Sequence, residues 1–91
     1  MPITIYIPPP LRSRCGGAAE LSVAAATVRA ALDALERRHQ DLWRGVCDDA
    51  GAVRRHVNLF VNDGHIRDLA GLDTPLADGD ILAIMPAVSG G

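Results

Sequence analysis

The sequence predicts an α+β domain two layers deep, a sheet of short strands with one main helix packed across it. Three patterns carry that prediction. Apolar residues alternate at Ile3, Ile5 and Ile7 and again at Val57, Leu59 and Val61, the period-two mark of half-buried strands. Val28, Ala31, Leu32 and Leu35 recur at steps of three and four, which lays one apolar stripe along a helix. The chain has 91 residues, 48% of them apolar and only 3% aromatic, so it makes one small domain with an aliphatic core.

Taken in order, Met1 to Ile7 is the first strand, and Pro8-Pro9-Pro10 ends it because proline has no N–H for the ladder. Leu11 to Ala19 reads as a long loop broken by Gly16-Gly17. A second short strand follows at Glu20 to Ala24, with Leu21 and Val23 on one face. Thr27 is the expected N-cap of a helix running to about His39, with a short further turn holding Leu42, Trp43 and Val46. Asp48 to Ala52 is loop. The strand at His56 to Asn62 leads into Asp63-Gly64, a pair favoured in type I′ hairpins, and His65-Ile66-Arg67 is a candidate return strand. Leu69 to Leu76 is irregular, Asp78-Gly79-Asp80 is a tight turn, and Ile81 to Pro86 is the last strand. The first and last strands are the most apolar, which places them side by side in the middle of the sheet. Residues 1–86 form the domain, and 87–91 a flexible reactive tail.

Composition excludes several classes of function. No apolar run approaches the length of a membrane span, and the N-terminus lacks the basic and apolar regions of a secretory signal. Two cysteines, Cys15 and Cys47, make neither a disulfide framework nor a four-ligand metal or iron–sulfur site. A cytoplasmic protein with free thiols, monomeric when free, is the expectation. All nine basic residues are arginine; residues 1–60 carry a net +2 and residues 61–91 a net −4. No basic stripe suits a nucleic acid. The acidic final third is either a solvated face or a surface for a basic protein partner.

A search for catalytic residues finds none. His39, His56 and His65 show no metal-type spacing; Cys15 and Cys47 have no histidine beside them in sequence; and Ser13, Ser22 and Ser89 lack a nucleophile-elbow setting. His56 and His65, flanking a strand, are expected to face solvent. Gly16-Gly17 is not followed by the Lys-Ser/Thr of a phosphate loop. The pattern is that of a protein acted upon. An aliphatic strand running into Ala87-Val88-Ser89-Gly90-Gly91 suggests where: two glycines without Cβ are thin enough to thread a narrow enzyme channel and present the Gly91 carboxylate.

The stretch Leu76-Ala77-Asp78-Gly79-Asp80-Ile81-Leu82-Ala83-Ile84-Met85-Pro86-Ala87-Val88-Ser89-Gly90-Gly91 resembles the C-terminal signature of the MoaD/ThiS sulfur carriers. Pro10-Leu11-Arg12 with Gly16-Gly17, Phe60-Val61-Asn62-Asp63 and Pro86-Ala87-Val88 are similar to the CysO-type branch, which serves thiocarboxylate-dependent cysteine synthesis. Ala87 stands where many molybdopterin-type carriers have a second proline, and thiamine-type carriers are usually shorter. The resemblance implies the ubiquitin-like β-grasp fold, a mixed sheet of four to five strands with one main helix.

It also implies a chemistry supplied by partners. An adenylating enzyme uses ATP to activate the Gly91 carboxylate, a sulfur donor converts it to a thiocarboxylate, and a synthase accepts the sulfur. The carrier itself binds no cofactor or metal and is not an enzyme. Gly90, Ser89, Val88 and Ala87 would thread into the partner.

If Val57, Leu59 and Val61 face the helix, alternation puts Phe60 on the open face, with Met85 beside it if Leu82 and Ile84 point inward; an aromatic and a methionine there suit a binding hot spot. In the family an apolar residue at the Met85 position contacts the activating enzyme. The alternative for Phe60 is packing under the loop at Leu69 to Leu72. Alternative functions are a protein modifier joined through Gly91 to lysines of target proteins, and a passive β-grasp module. Cysteine synthesis, a siderophore-type thioacid and molybdopterin remain open as destinations of the sulfur.

Overall fold

The computed structural model describes residues 2–86, which form a five-stranded mixed sheet with two helices across one face. The strands are β1 (Pro2–Tyr6), β2 (Glu20–Ala24), β3 (Val57–Val61), β4 (Gly64–His65) and β5 (Ile81–Pro86). Their spatial order is β2-β1-β5-β3-β4, with β1 and β5 parallel and every other pair antiparallel. The first and last strands are therefore neighbours, as their apolar content predicts. This is the ubiquitin-like β-grasp arrangement.

Helix α1 (Val28–Arg38) starts where Thr27 Oγ1 accepts a hydrogen bond from the Ala30 N–H at 3.1 Å, a side-chain N-cap. Its buried stripe of Val28, Ala31, Leu32, Ala34 and Leu35 faces the sheet. The core beneath is aliphatic: Ile3, Ile5, Leu59, Leu82 and Ile84 are each no more than 1% exposed. Thr74 is the buried polar residue among those described. Its hydroxyl donates to the Gly71 carbonyl at 2.7 Å and accepts from the Ala70 N–H at 3.1 Å, so burial costs it no hydrogen bond.

Several local expectations need correction. The segment after β1 is not an open loop: Pro9–Cys15 forms a 3₁₀ helix. Pro9 and Pro10 occupy its first turn, where a missing N–H is harmless and the fixed φ is already helical. Gly16, at φ 72°, ends it in the left-handed region.

The turn holding Leu42, Trp43 and Val46 is a full helix, α2 (Gln40–Val46). It is separated from α1 by His39, whose N–H closes α1 on Leu35 and whose carbonyl opens α2 to Trp43. The hairpin between β3 and β4 centres on Asn62-Asp63, since Val61 pairs with Gly64. Asn62, not Gly64, takes the positive φ, 54°. The return strand is only Gly64–His65, and Ile66–Asp68 turns into a 3₁₀ helix that buries Ile66. His65 does not face solvent freely. Its Nε2 lies 3.0 Å from Asn58 Oδ1 and its Nδ1 accepts from the Arg67 N–H at 3.1 Å, which fixes the Nε2–H tautomer.

Candidate functional site

Both helices cover one face of the sheet and leave the other open. Pairing register decides what stands there. Phe60 pairs with Ala83 and with His65, Asn58 pairs with Met85, and Tyr6 pairs with Ala83. Paired residues share a face, so Phe60 and Met85 both lie on the open side, opposite the buried Val57, Leu59, Val61, Leu82 and Ile84.

Phe60 is half-buried. Its ring meets His65 edge-on, with centroids 5.0 Å apart and planes at 68°. Met85 is 39% exposed. The loop after β4 packs on the other side: a Cβ built on Gly64, which pairs with inward-facing Val61, would meet Leu69 Cδ1 at 3.2 Å. Leu69 thus lies toward the face opposite Phe60.

Sequence reasoning missed Ile81. It is 46% exposed and pairs with Thr4 on the same open face, so residues 81, 83 and 85 form one row along β5. The alternation that placed Met85 there also places Ile81; the signal was present. Tyr6 borders the row and carries the Arg12 guanidinium 5.7 Å from its ring centroid. Arg12 is held by its Nε donating to the Ile7 carbonyl at 3.0 Å. The face is therefore a small apolar strip edged by one arginine.

The strand that carries the strip is fixed at both ends. Before it, Asp80 accepts from the Ala77 N–H at 2.8 Å and from Asn62 Nδ2 at 3.2 Å. Asn62 Oδ1 in turn accepts from the Ile81 N–H at 3.1 Å, and the Asn62 N–H donates to the Ile81 carbonyl at 2.8 Å. The Ala77 N–H first, and then the Asn62 amide, hold the Asp80 carboxyl below its ordinary range. At the far end Pro86 pairs with Val57. β5 lies between β1 and β3, so whatever follows Pro86 starts from the middle of the sheet. Ala87, Val88, Ser89, Gly90 and Gly91, named above as the threading segment and reactive end, lie outside the described residues.

Elsewhere the two thiols differ in exposure. Cys47 is 1% exposed, and burial, helped by the negative charge of Asp48, pushes its thiol up to about 11. Cys15 is half-buried, its Sγ near the Arg12 and Ala18 carbonyls. Among the described residues, no three His, Cys, Asp or Glu side chains come together in a metal-holding group, and no helix is long and apolar enough to cross a membrane.

The sequence profile of the ThiS family matches residues 10–91. Over 93 aligned positions the chain is 38% identical to the sulfur carrier protein CysO of Mycobacterium tuberculosis, and the alignment covers 100% of both chains. It is also 38% identical over 66 residues to small archaeal modifier protein 3 of Haloferax volcanii, covering 72% of this chain and 71% of that relative. The crystal structure of the Amycolatopsis orientalis BexX/CysO complex contains a chain that matches with a TM-score of 0.87 at 36% identity, over 98% of this chain and 99% of that one. A profile match over most of the chain and a full-length relative agree with the sheet order, and the chain belongs to the ThiS family of ubiquitin-like β-grasp proteins.

Proposed function

We propose that this protein is a sulfur carrier of the CysO type. The observation that carries the proposal is the full-length alignment with the mycobacterial sulfur carrier, in which the two chains coincide from end to end and Gly90-Gly91 closes this one.

The chemistry takes place at Gly91. Its carboxylate oxygen attacks the α-phosphate of ATP on an activating enzyme, forming an acyl-adenylate and releasing pyrophosphate. A sulfide or persulfide sulfur then adds to the carbonyl and AMP leaves, so the terminus becomes a thiocarboxylate. With a persulfide donor, a reductant must also cleave the S–S bond. The thiocarboxylate sulfur next attacks an acceptor held by a synthase, in cysteine formation by preference. The domain supplies a rigid handle, and ATP is bound by the partner. Ile81 and Met85 lie on the strand that leads to residue 87, with Phe60 beside them on neighbouring β3, which supports a role for this strip as the docking face for the activating enzyme.

Intact mass spectrometry after incubation with ATP, sulfide and the cognate activating enzyme tests the proposal. The expected result is the mass gain of one oxygen replaced by sulfur, absent when Gly91 is deleted. No gain with an active enzyme overturns it.

The archaeal modifier relatives favour a second reading, conjugation of Gly91 to lysines of other proteins. The chain contains no lysine of its own, so it could not build chains on its own side chains. Isopeptide-linked adducts in cell extract would select this reading, and free thiocarboxylate the first.

A further inference from the structure

We propose that the helix side of the sheet carries a docking groove for an acidic segment of a partner protein, one that also presents an aliphatic side chain. The groove has two halves. The first is an apolar cavity of about 190 Å³ walled by Pro8, Pro10, Leu11, Val57, Ile84 and Pro86. The second, about 380 Å³, is open to solvent and bordered by Arg14, Arg44 and Arg54. Leu11, Gly45 and His56 line both, so the two halves are continuous. Val57 pairs with Pro86 and shares the buried side of the sheet with Ile84, so the groove lies opposite the strip of Phe60, Ile81 and Met85.

The packing that brings the arginines together depends on Gly45. A Cβ there would come within 3.1 Å of Leu11 Cδ2 and 3.3 Å of Arg14 Cδ, so the Pro9–Cys15 turn lies directly on α2. Arg54 is fixed across the same site, with its Nε donating to the Arg44 carbonyl at 2.8 Å.

Charge here is unbalanced. Among the described residues, the one carboxylate paired with any of the three arginines is Asp41, 3.4 Å from Arg14 and largely exposed. The chain as a whole carries a net charge of −2, so the groove is a local surplus of positive charge, and its complement is anionic. A free phosphate or a nucleic acid would use the arginines alone. No Phe, Tyr or Trp lines either half for a base to stack on, and the apolar half would stay empty. A polypeptide meets both needs. A cavity of roughly 150 Å³ holds a benzene-sized guest, so the apolar half is large enough for one leucine. The planar arginine fork takes carboxylate oxygens in pairs, which suits aspartate or glutamate next to that leucine.

Exposed ion pairs are individually weak and screened by salt, so the contact is reversible. The groove goes beyond the carrier reading, since neither its residues nor its test involve the reaction at Gly91.

The test is a titration of the full chain, isotopically labelled, followed by nuclear magnetic resonance. The probe is a synthetic peptide, capped at both ends, of one leucine followed by four glutamates. The expected result is saturable shifts at Leu11, Gly45, Val57 and Ile84, with Phe60, Ile81 and Met85 unmoved. Arg14→Gln and Arg44→Gln should each weaken binding about threefold, the order of one exposed ion pair, and both should keep the core resonances of the parent. Alanine in place of the peptide's leucine should weaken it several-fold more, which a purely electrostatic patch would not register. No groove shifts at millimolar peptide, or equal binding of the leucine and alanine peptides, overturns the proposal. An oligonucleotide that binds the groove more tightly than the peptide also overturns it. So do groove shifts that grow with protein concentration before peptide is added, since the occupant would then be a second copy.

Discussion

Phe60 and Met85 stand on one face of the sheet, two residues apart in register on neighbouring antiparallel strands: Phe60 opposite Ala83, Met85 opposite Asn58. The spacing lets an aromatic ring and a flexible thioether contribute to a single contact, with Ile81 extending it along β5. Met85→Ala and Ile81→Ala should each weaken activation by a cognate enzyme about tenfold, the order of a hot-spot truncation of ~1–2 kcal/mol. Their effect on stability should stay within about 0.5 kcal/mol, because both side chains are substantially exposed. Phe60→Ala should do the same to activation and cost a further ~0.5–1.5 kcal/mol of stability through the lost edge contact with His65. Kinetics of adenylate formation at varied carrier concentration, beside urea titrations, check both halves. Unchanged kinetics in all three variants would remove this face from the interface.

The clamp between Asp80 and Asn62 gives the fold an acid limit. A carboxyl held below its ordinary value of 3.8 is ionised more readily folded than unfolded. Its stabilisation is fully present above that ordinary value and is lost as pH falls through the lowered one. Asp80→Asn should therefore be less stable than the parent at neutral pH, and the difference should shrink as the solution is acidified. Urea denaturation at a series of pH values measures the difference directly. Two curves that fall in parallel from neutral to acid would show that Asp80 makes no such contribution.

Much of this was legible in the chain. The core positions of β1, β3 and β5 follow from alternation, α1 from its stripe and its Thr27 cap, and the adjacency of the first and last strands from their shared apolar content. What alternation cannot show is local geometry set by contacts distant in sequence. Gly64 looked like the positive-φ residue of its hairpin, but Asn62 takes that role because its amide side chain is held by Asp80 and Ile81. Pro9 and Pro10 looked like the end of a strand and the start of a loop, yet proline at the opening of a helical turn costs nothing. The open face was legible through Phe60 and Met85, and Ile81 was readable by the same rule. The convergence of Arg14, Arg44 and Arg54 was not, because they come from three segments joined by the packing of Leu11 and Arg14 at Gly45 and by the Arg54 hydrogen bond to the Arg44 carbonyl.

Two glycines that look alike in sequence should respond differently to alanine. Gly79 has φ 85°, a conformation that costs an L-residue roughly 1–2 kcal/mol, and its Cβ would meet open space. Gly64 has no positive φ; its Cβ would press on Leu69, a half-exposed side chain able to move. Gly79→Ala should therefore lower stability by about 1–2 kcal/mol and Gly64→Ala by less than about 1 kcal/mol. Thermal melts of the two variants separate the cases, and a larger loss at Gly64 would show that Leu69 is less free than its exposure indicates.

The two thiols should differ in the same molecule. Cys47 is 1% exposed and its thiol is pushed up to about 11 by burial first and by Asp48 second, whereas Cys15 is half-buried near the surface. Since the thiolate is the reactive form, a disulfide reagent should modify Cys15 in the native protein and reach Cys47 only when the fold opens, at a rate that rises with denaturant. The pH dependence follows with a definite sign. A thiol whose folded value lies above the unfolded 9.0 keeps its proton in the fold, so its contribution is complete below 9.0 and is lost as pH rises toward about 11. Cys47→Ala should abolish that part of the alkaline loss while lowering stability near neutral pH, where the buried sulfur packs in the core. Stability of parent and variant followed from neutral to strongly alkaline solution should thus converge, and equal alkaline losses in both would assign the effect elsewhere.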